Sequence, residues 1–462
     1  MKIARPGPLL LLATLTLTTA LPAGLLAQEA TGIRGTLSVT QGLEWSDNRR
    51  LDIVSPGSTL TSVTRLGFGA ISETRTQQLN FNVDGSIEGS FGDGATDQED
   101  FRIVSDSIRL GYSRSGANSR LSFDASTTTR EIDDDVIGFF VNGEFDPNAL
   151  VLDGGEVERT RLSARIETGL EGPFGLDVSA RSSTRDYVDT TDPELVDQET
   201  VSLDATARFR IRPSLALRAR AGMSETDETE LGVVQTTSRR YLGFGVEAES
   251  AGGLAFTGDL ILDKSQTDQD GVEVSDDDGV GFEVTLEQAR PNGSVGFEVT
   301  SRVDNSGRRS SARVLRSIDM PTGALSFSLG LVDQENADIE FTSSLAYARE
   351  TPAGRVTANL QQSPSTDAGE AFLNTSFSLG LTRELSQISE LGASIEYGSA
   401  RAFTEDDADR RATFGVTYQR ELTRDWDLTA GLEHTRVDDA DDEDRSSNTV
   451  FINIGRDFDF GF

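Results

Sequence analysis

Arginine recurs at every second position in two stretches near the middle of this chain. In "LDATARFRIR" the arginines are Arg208, Arg210 and Arg212, and in "LALRARAG" they are Arg218 and Arg220. The residues between them are apolar or small, so in an extended strand all the guanidinium groups would lie on one face. A row of guanidinium groups can bind anions or pair with carboxylates.

Two earlier segments carry the same pattern. In "RTRLSARIETGL", Arg161 and Arg165 have the opposite parity to the apolar residues, and in "LDVSARSSTR" the same holds for Arg181 and Arg185. Four successive strands would then place arginine on one wall. Two interpretations stay open. The wall either lines a pore that favours anions or polar solutes, or it is stabilised by internal pairs between arginine and carboxylate.

Catalytic or metal chemistry has few residues to use. The chain has no cysteine and a single histidine, His434, so it offers no catalytic triad or histidine-rich metal site. The segment from Asp263 to Gly279 is rich in carboxylates, but its spacing does not match an EF-hand calcium loop. We therefore expect no enzyme activity, no cofactor and no metal site, and we expect the acidic segments to form a solvated anionic surface.

The charge and hydropathy of the chain limit its partners. A net charge of −35 argues against nucleic acid. The mean hydropathy is negative, and no stretch beyond the N-terminus has the ~20 apolar residues that a spanning helix needs. Strands of about ten alternating residues can nevertheless span a membrane, so hydropathy does not exclude one.

The rest of the chain alternates apolar and polar residues with the period of β-strands, as in "LNFNVDGSIEGSF" and "ATFGVTY". Short connections with Pro or Gly alternate along the chain with longer, mostly acidic ones. Ten short and eleven long connections would join 22 strands. We predict an all-β fold, a single transmembrane antiparallel β-barrel of about 22 strands (range about 16–24), with short turns at one end and long acidic loops at the other.

Soluble all-β alternatives fit the pattern less well. A β-sandwich of this length would form several domains with linkers between them, and none is visible. A solenoid would show one repeat period along its whole length. The segments "RELSQISELGASIEY" and "RELTRDWDLTAGLEH", which begin at Arg383 and Arg420, instead indicate duplication of a single hairpin.

The two ends of the chain have different characters. Lys2 and Arg5 precede an apolar run from Leu9 to Leu21, which predicts a signal peptide over residues 1–27 and a barrel over residues 28–462. At the other end, apolar residues hold alternate positions up to the last residue: Val450, Ile452, Ile454, Phe458, Phe460 and Phe462. A strand that closes a barrel can end the chain in this way, and its partner is expected near Gly35–Ser46.

This ending resembles that of bacterial outer-membrane β-barrel proteins, which commonly finish on a phenylalanine preceded by alternating apolar residues. The resemblance implies that Phe458, Phe460 and Phe462 form an assembly signal for the barrel assembly machinery. It also implies a location in the outer membrane, contact with its lipid and lipopolysaccharide, and short turns on the periplasmic side. Arg456 departs from the pattern at a position where an apolar residue is usual.

A second, shorter resemblance lies near the N-terminus. "QGLEWSDNRRLD" is similar to the first strand of outer-membrane barrels associated with exopolysaccharide secretion, where an aromatic residue precedes Asp-Asn. Trp45, Asp47 and Asn48 carry the similarity. It implies a structural or accessory barrel in polysaccharide secretion or surface organisation.

The longest connection, from Asp133 to Gly155, contains the apolar stretch "VIGFFVNGEFDPNALVL". Its position is similar to that of the constriction loop of general porins. If it folds into the lumen, Glu144 and Asp146 would face the arginines. An outer lid, or a loop packed against its neighbours, is the other interpretation.

These observations favour a passive channel for small hydrophilic solutes, and the structural or accessory barrel is the alternative. Receptors that couple to TonB also have 22 strands, but a plug precedes their barrel. Here the strands begin within about ten residues of the expected cleavage site, so we expect no TonB-coupled import.

Deleting Phe462 should lower the amount of protein in the outer membrane and leave a protease-sensitive chain in the periplasm, because the assembly signal is shortened. Membrane fractionation with limited proteolysis measures both. Phe460→Asp added to the deletion should increase the loss. Unchanged insertion of both variants would show that the ending has no role in assembly.

Overall fold

The computed structural model describes residues 32–92, 102–131, 140–141, 144–145, 155–190, 195–230, 233–335, 337–367, 370–403, 408–438 and 444–461. The expected signal peptide, Asp146 and Phe462 lie outside this range. None of the described residues forms a helix long and apolar enough to cross a membrane.

The described chain is built from strands. The first half contains β1 (Arg34–Ser46), β2 (Thr59–Glu73), β3 (Gln77–Phe91), β4 (Arg102–Ser115), β5 (Ser119–Glu131), β6 (Phe140–Val141), β7 (Glu144–Phe145), β8 (Glu156–Thr168), β9 (Phe174–Val188), β10 (Asp197–Arg212), β11 (Leu215–Glu230) and β12 (Val233–Glu249). The second half contains β13 (Leu254–Gln269), β14 (Val272–Arg290), β15 (Gly293–Asp304), β16 (Gly307–Met320), β17 (Gly323–Gln334), β18 (Glu340–Thr351), β19 (Gly354–Asp367), β20 (Glu370–Ser386), β21 (Ser389–Ala402), β22 (Asp409–Thr423), β23 (Trp426–Asp438) and β24 (Asp444–Gly461).

Twenty-two of these strands form one closed antiparallel sheet. Each long strand pairs with the next along the chain, and β1 closes the ring by pairing with β24 over its whole length, from Arg34 opposite Gly461 to Ser46 opposite Thr449. The predicted strand number and the predicted closing pair are both confirmed. β6 and β7 pair only with each other, as a small hairpin within the connection between β5 and β8.

The two faces of the wall differ as the alternation predicts. On β13, Leu260 and Leu262 are 59% and 52% exposed, whereas Ile261 between them is 0% exposed. Large exposed side chains recur in this way on most strands, which gives the barrel an apolar outer surface. The charged and hydroxyl side chains of alternate positions face the lumen.

One acidic segment expected as a loop is largely strand. The segment from Asp263 to Gly279 belongs to β13 and β14, which pair up to Gln269 and Val272. Only Asp270 and Gly271 lie between the two strands, with φ of 49° and 79°. Both values suit a tight hairpin turn, in which Asp-Gly is a favoured pair. Carboxylates that alternate with Val, Ser and Gly can extend a hairpin into solvent instead of forming an irregular loop.

The duplicated segments have the same local geometry. The pairing register shifts between Glu384 and Ser386 at the β20–β21 turn, and between Glu421 and Thr423 at the β22–β23 turn. A shared irregularity at the same place in the repeat supports the predicted duplication of a hairpin.

The seam between the first and last strands is held at its long-loop end by the motif after β1. The Asp47 carboxylate accepts hydrogen bonds from the backbone N–H and the side-chain amide of Asn448, both at 2.7 Å. Asn48 is buried and donates to the carbonyl oxygens of Asp52 and Ser446 at 2.8 and 3.0 Å. His434 faces outward and bonds Asn448 at 2.9 Å. The Asp-Asn motif therefore joins the two ends of the sheet.

At the short-turn end the seam is covered by Phe460. Its ring lies directly over Gly35 of β1, where any Cβ would overlap it. The ring also stacks on Phe68 of β2, with centroids 6.2 Å apart, and Phe68 contacts Phe81 of β3 edge to face at 6.4 Å. Two of the three residues of the expected assembly signal are thus seen in the outer face of β24, Phe458 and Phe460.

Phe460→Ala should lower the free energy of unfolding by about 1–2 kcal/mol, because it removes an aromatic contact that crosses the seam. The urea midpoint of the folded barrel in detergent measures this. The control is Phe244→Ala, since Phe244 also faces outward but is exposed. An equal shift in both variants would contradict a special role for Phe460.

Candidate functional site on the inner wall

Arginines of β10 and β11 meet carboxylates of β12 to β14 on the inner wall. Arg208 Nε donates to Glu247 Oε1 at 3.0 Å, and Arg218 Nη1 donates to the same oxygen at 3.1 Å. Cross-strand register explains the meeting, because Arg208 lies opposite Arg218. The shared Glu247 carboxylate offsets the repulsion between these two like charges.

The next carboxylate along this row is fully buried. The side chain of Asp259 has 0% exposure. It accepts hydrogen bonds from Nε and Nη2 of Arg218 and from Nη1 of Arg220, the last at 3.3 Å. A buried carboxylate of this kind needs several donors to offset its desolvation.

The row continues on β14 and β15. Glu283 accepts from Arg220 Nη1 and from Arg302 Nη1, each at 2.7 Å. Arg302 then binds Asp263 through Nη2 at 2.7 Å. Arg218, Arg220 and Arg302 thus each connect two carboxylates, and Arg208 ends the row.

We call this row the charge ladder, and it comprises eight residues: Arg208, Glu247, Arg218, Asp259, Arg220, Glu283, Arg302 and Asp263. Its four guanidinium groups balance its four carboxylates, so the ladder is neutral as a whole. This geometry matches the second interpretation of the arginine pattern, in which internal pairs stabilise the wall.

An aromatic ring and glycines make room for the ladder. Arg220 and Arg302 lie over the ring of Tyr241, at 5.7 and 5.2 Å from its centroid. The Tyr241 hydroxyl donates to Asp204 Oδ1 at 2.7 Å. Gly245 lies beside Asp259, where a Cβ would overlap the carboxylate and the Gly258 carbonyl. The absence of a side chain at this position lets the ladder lie flat on the wall.

The remaining predicted arginines have different surroundings. Arg165 forms a two-point ion pair with Asp177, with Nε–Oδ1 at 2.9 Å and Nη2–Oδ2 at 2.5 Å. The Arg185 guanidinium lies 5.7 Å from the Tyr187 ring centroid. Arg161 faces inward opposite Ser126 and also interacts with other groups. Arg181 is exposed on the inner face and has no ion pair with any residue in the described ranges.

Two of the predicted wall residues lie at the short-turn end. Arg210 Nη1 donates to the carbonyl oxygens of Leu170 and Gly172 at 2.6 and 3.0 Å. It therefore fixes the turn between β8 and β9. Arg212 is exposed beyond a register shift that separates it from Arg210. Neither residue joins the charge ladder.

The expected constriction residues are only partly described. Glu144 belongs to β7, which pairs with β6, and Asp146 lies outside the described residues. That Glu144 and Asp146 face the arginines of the inner wall stays a prediction.

The part of the wall that follows β16 is mostly uncharged. Inward positions of β17 to β20 carry hydroxyl and amide groups that bond one another, such as Ser328 with Ser344 at 2.6 Å and Asn374 with Ser365 at 2.7 Å. The lumen therefore has a charged sector from β8 to β16, and next to it a mostly uncharged hydrophilic sector from β17 to β20, which we call the neutral sector. No group of His, Asp or Glu within the described ranges is arranged to hold a metal ion.

The sequence interpretation missed five members of the ladder: Glu247, Asp259, Asp263, Glu283 and Arg302. Asp259, Asp263 and Glu283 could have been found by parity. Asp259 and Asp263 alternate with the apolar Leu260 and Leu262, and Glu283 lies between Phe282 and Val284. Which arginine each carboxylate meets depends on strand register, and one sequence does not specify it.

The fold is shared with known proteins of the outer membrane. The chain is similar to the ferric enterobactin receptor of Pseudomonas aeruginosa, with a TM-score of 0.56, 11% identity, and coverage of 94% of this chain and 82% of that one. It is also similar to the FrpB iron transporter of Neisseria meningitidis, with a TM-score of 0.58, 9% identity and coverage of 93% and 82%. For the ferric-catecholate import receptor Fiu of E. coli the values are 0.57, 12%, 94% and 82%.

The fold is that of an outer-membrane β-barrel. The closed 22-stranded sheet, its apolar outer face and these neighbours agree on the fold. No protein-family model matches the chain, and no curated protein matches it. At 9–12% identity the solved structures establish the architecture alone. They are receptors and transporters by name, whereas we expected a porin-like channel from the sequence.

Gly245→Ala should destabilise the barrel by roughly 1–3 kcal/mol, because the new methyl group would displace Asp259 from Arg218. Gly243→Ala is a matched control on the same face of β12, since its Cβ would lie 3.4 Å from Ile261, an ordinary contact. Urea unfolding of both variants measures the difference. Equal midpoints would contradict the packing role of Gly245.

Proposed function

We propose that this outer-membrane barrel is a passive channel for small hydrophilic solutes. The observation that carries the proposal is the solvent exposure of charged side chains on the inner wall. Side chains of Arg165, Arg313 and Arg208 face the lumen and are 52%, 47% and 42% exposed, although each is ion-paired. Charged groups that stay in contact with water support a hydrated lumen.

The neutral sector supports the same proposal. Its hydroxyl and amide groups can exchange hydrogen bonds with a passing solute, since each both donates and accepts. A solute could then move along the wall without meeting a strongly charged trap. The neutrality of the charge ladder points the same way, because its arginines are already paired.

The periplasmic mouth supports a preference for cations among charged solutes. On β20 to β23, Glu384 lies opposite Glu390, and Glu421 lies opposite Asp427, all on the inner face. Carboxylates that face one another at a mouth attract cations and repel anions. The arginine-lined wall alone had suggested the reverse, but four of its arginines, Arg165, Arg208, Arg218 and Arg220, are paired with carboxylates.

Conductance of the purified barrel in a planar bilayer tests the proposal. Discrete steps with a reversal potential that favours K⁺ over Cl⁻ by several-fold are expected in a salt gradient. Glu421→Gln with Asp427→Asn should reduce that preference. The control pair is Asp276→Asn with Asp278→Asn. It removes two carboxylates near the start of β14, at the end of the barrel away from the short turns.

A silent bilayer with folded, inserted protein would overturn the channel and favour the alternative, a structural or accessory barrel at the cell surface. An unchanged reversal potential in the Glu421 and Asp427 variant would remove the acidic mouth from the mechanism. The Asp47–Asn448 contact at the seam serves closure in either case, so it does not separate the two functions.

A further inference from the structure

Outward-facing arginines recur at the periplasmic end of alternate strands. We call them the arginine belt, and it comprises six residues, one each on β14, β16, β18, β20, β22 and β24: Arg290, Arg316, Arg349, Arg383, Arg420 and Arg456. Each lies close to the short-turn end of its strand. The belt covers half of the barrel circumference.

Strand register fixes the outward direction of these arginines. Arg383 follows the outward residues Leu379 and Leu381 on alternate positions, and Arg420 follows Val416 and Tyr418 in the same way. Glu384 and Glu421, which follow these two arginines, therefore point inward. In a chain of net charge −35, this places positive charge outside and negative charge inside the same rim.

The cross-strand neighbours of three belt arginines are apolar. Arg349 lies opposite Val356, Arg383 opposite Leu391, and Arg420 opposite Leu428. These neighbours offer neither a carboxylate nor a hydrogen-bond acceptor in their side chains. An arginine in such a place extends its aliphatic stem over apolar surface and holds its charge at the boundary with water.

Three of the belt arginines are exposed and lack protein partners. Arg349, Arg383 and Arg420 form no ion pair or side-chain hydrogen bond with a residue inside the described ranges. Arg456 and Arg316 are partly held. Arg456 lies 4.5 Å from the Phe458 ring centroid and 3.5 Å from Asp425, and Arg316 binds Asn292 at 3.1 Å.

The rest of the barrel follows the pattern less closely. Outward residues near the periplasmic ends of β8, β10 and β12 are Ile166, Phe209 and Ala248. Arg114 of β4 is the described exception, since it is exposed and lies opposite Leu121 as the belt arginines lie opposite apolar residues. Outward arginine is therefore denser from β14 to β24, and a partner of negative charge would bind mainly on that side.

We propose that the arginine belt binds anionic phospholipid headgroups of the periplasmic leaflet. The height of the belt, at the edge of the apolar surface, is that of the lipid phosphates. A guanidinium matches a phosphate with two parallel hydrogen bonds, and it is less strongly hydrated than an ammonium. The proposal concerns the outer face and does not depend on conductance through the lumen.

The test compares lipid binding by the folded, full-length barrel in detergent. Native mass spectrometry should retain several phosphatidylglycerol molecules on the wild-type protein, and fewer phosphatidylcholine molecules of the same chain length. The triple variant Arg349→Gln, Arg383→Gln, Arg420→Gln should lose phosphatidylglycerol affinity by about fivefold for each arginine removed.

A charge-matched control uses outward basic residues near the opposite rim, Arg240→Gln, Lys264→Gln and Arg308→Gln. This control should keep the phosphatidylglycerol preference. Equal loss in both triple variants would overturn the belt as a site, because net charge alone would then explain binding. Inorganic phosphate at millimolar concentration should not displace the lipid, and displacement would show a simple anion site instead.

A second triple variant keeps the proposal testable if the Gln variant does not fold. Arg349→Lys, Arg383→Lys, Arg420→Lys keeps the charge and loses the planar fork, so it should fold and bind phosphatidylglycerol more weakly than wild type. Wild-type protein that retains the two lipids equally would overturn the proposal without any variant.

Discussion

The structure depends on one constraint, that no strand in a membrane can leave an edge unpaired. Backbone groups in hydrocarbon have no water to bond, so β1 must meet β24 along its full length, as it does from Arg34 to Ser46. The side-chain contacts at the seam follow from this need. Asp47 with Asn448 holds one end, and Phe460 over Gly35 covers the other. Between them, the pairing of the backbone itself carries the closure.

Closure also determines what the inner wall can contain. Side chains that cannot face lipid must face the lumen, and there charges need partners. The charge ladder meets that need across six strands, from Arg208 on β10 to Arg302 on β15. Removing one carboxylate would leave guanidinium groups without their partner in a partly buried place. The ladder therefore stabilises the wall, and its eight residues leave no net charge.

Much of the architecture could be predicted from the sequence because it depends on local period and turn chemistry. Alternation along each strand and the two kinds of connection were enough for the strand number, the closing pair and the outward face of β24. Parity also predicted the inner-wall position of Arg208, Arg218 and Arg220, the three arginines that join the ladder. It did not predict their partners, because Asp259 meets Arg218 through a register set by the whole ring. The hairpin to Asp270 and Gly271 was missed because acidic residues are usual in loops and can also extend a strand.

The seam has a consequence for the time course of folding. Its contacts join residues about four hundred positions apart, as between Asp47 and Asn448, so they are the most distant pairings in the chain. Bringing such ends together costs loop-closure entropy before any contact forms. Hairpins such as β13–β14 can form early, since only two residues separate their strands. The ring is then completed last, and until that moment β1 and β24 are open edges that can pair with other chains.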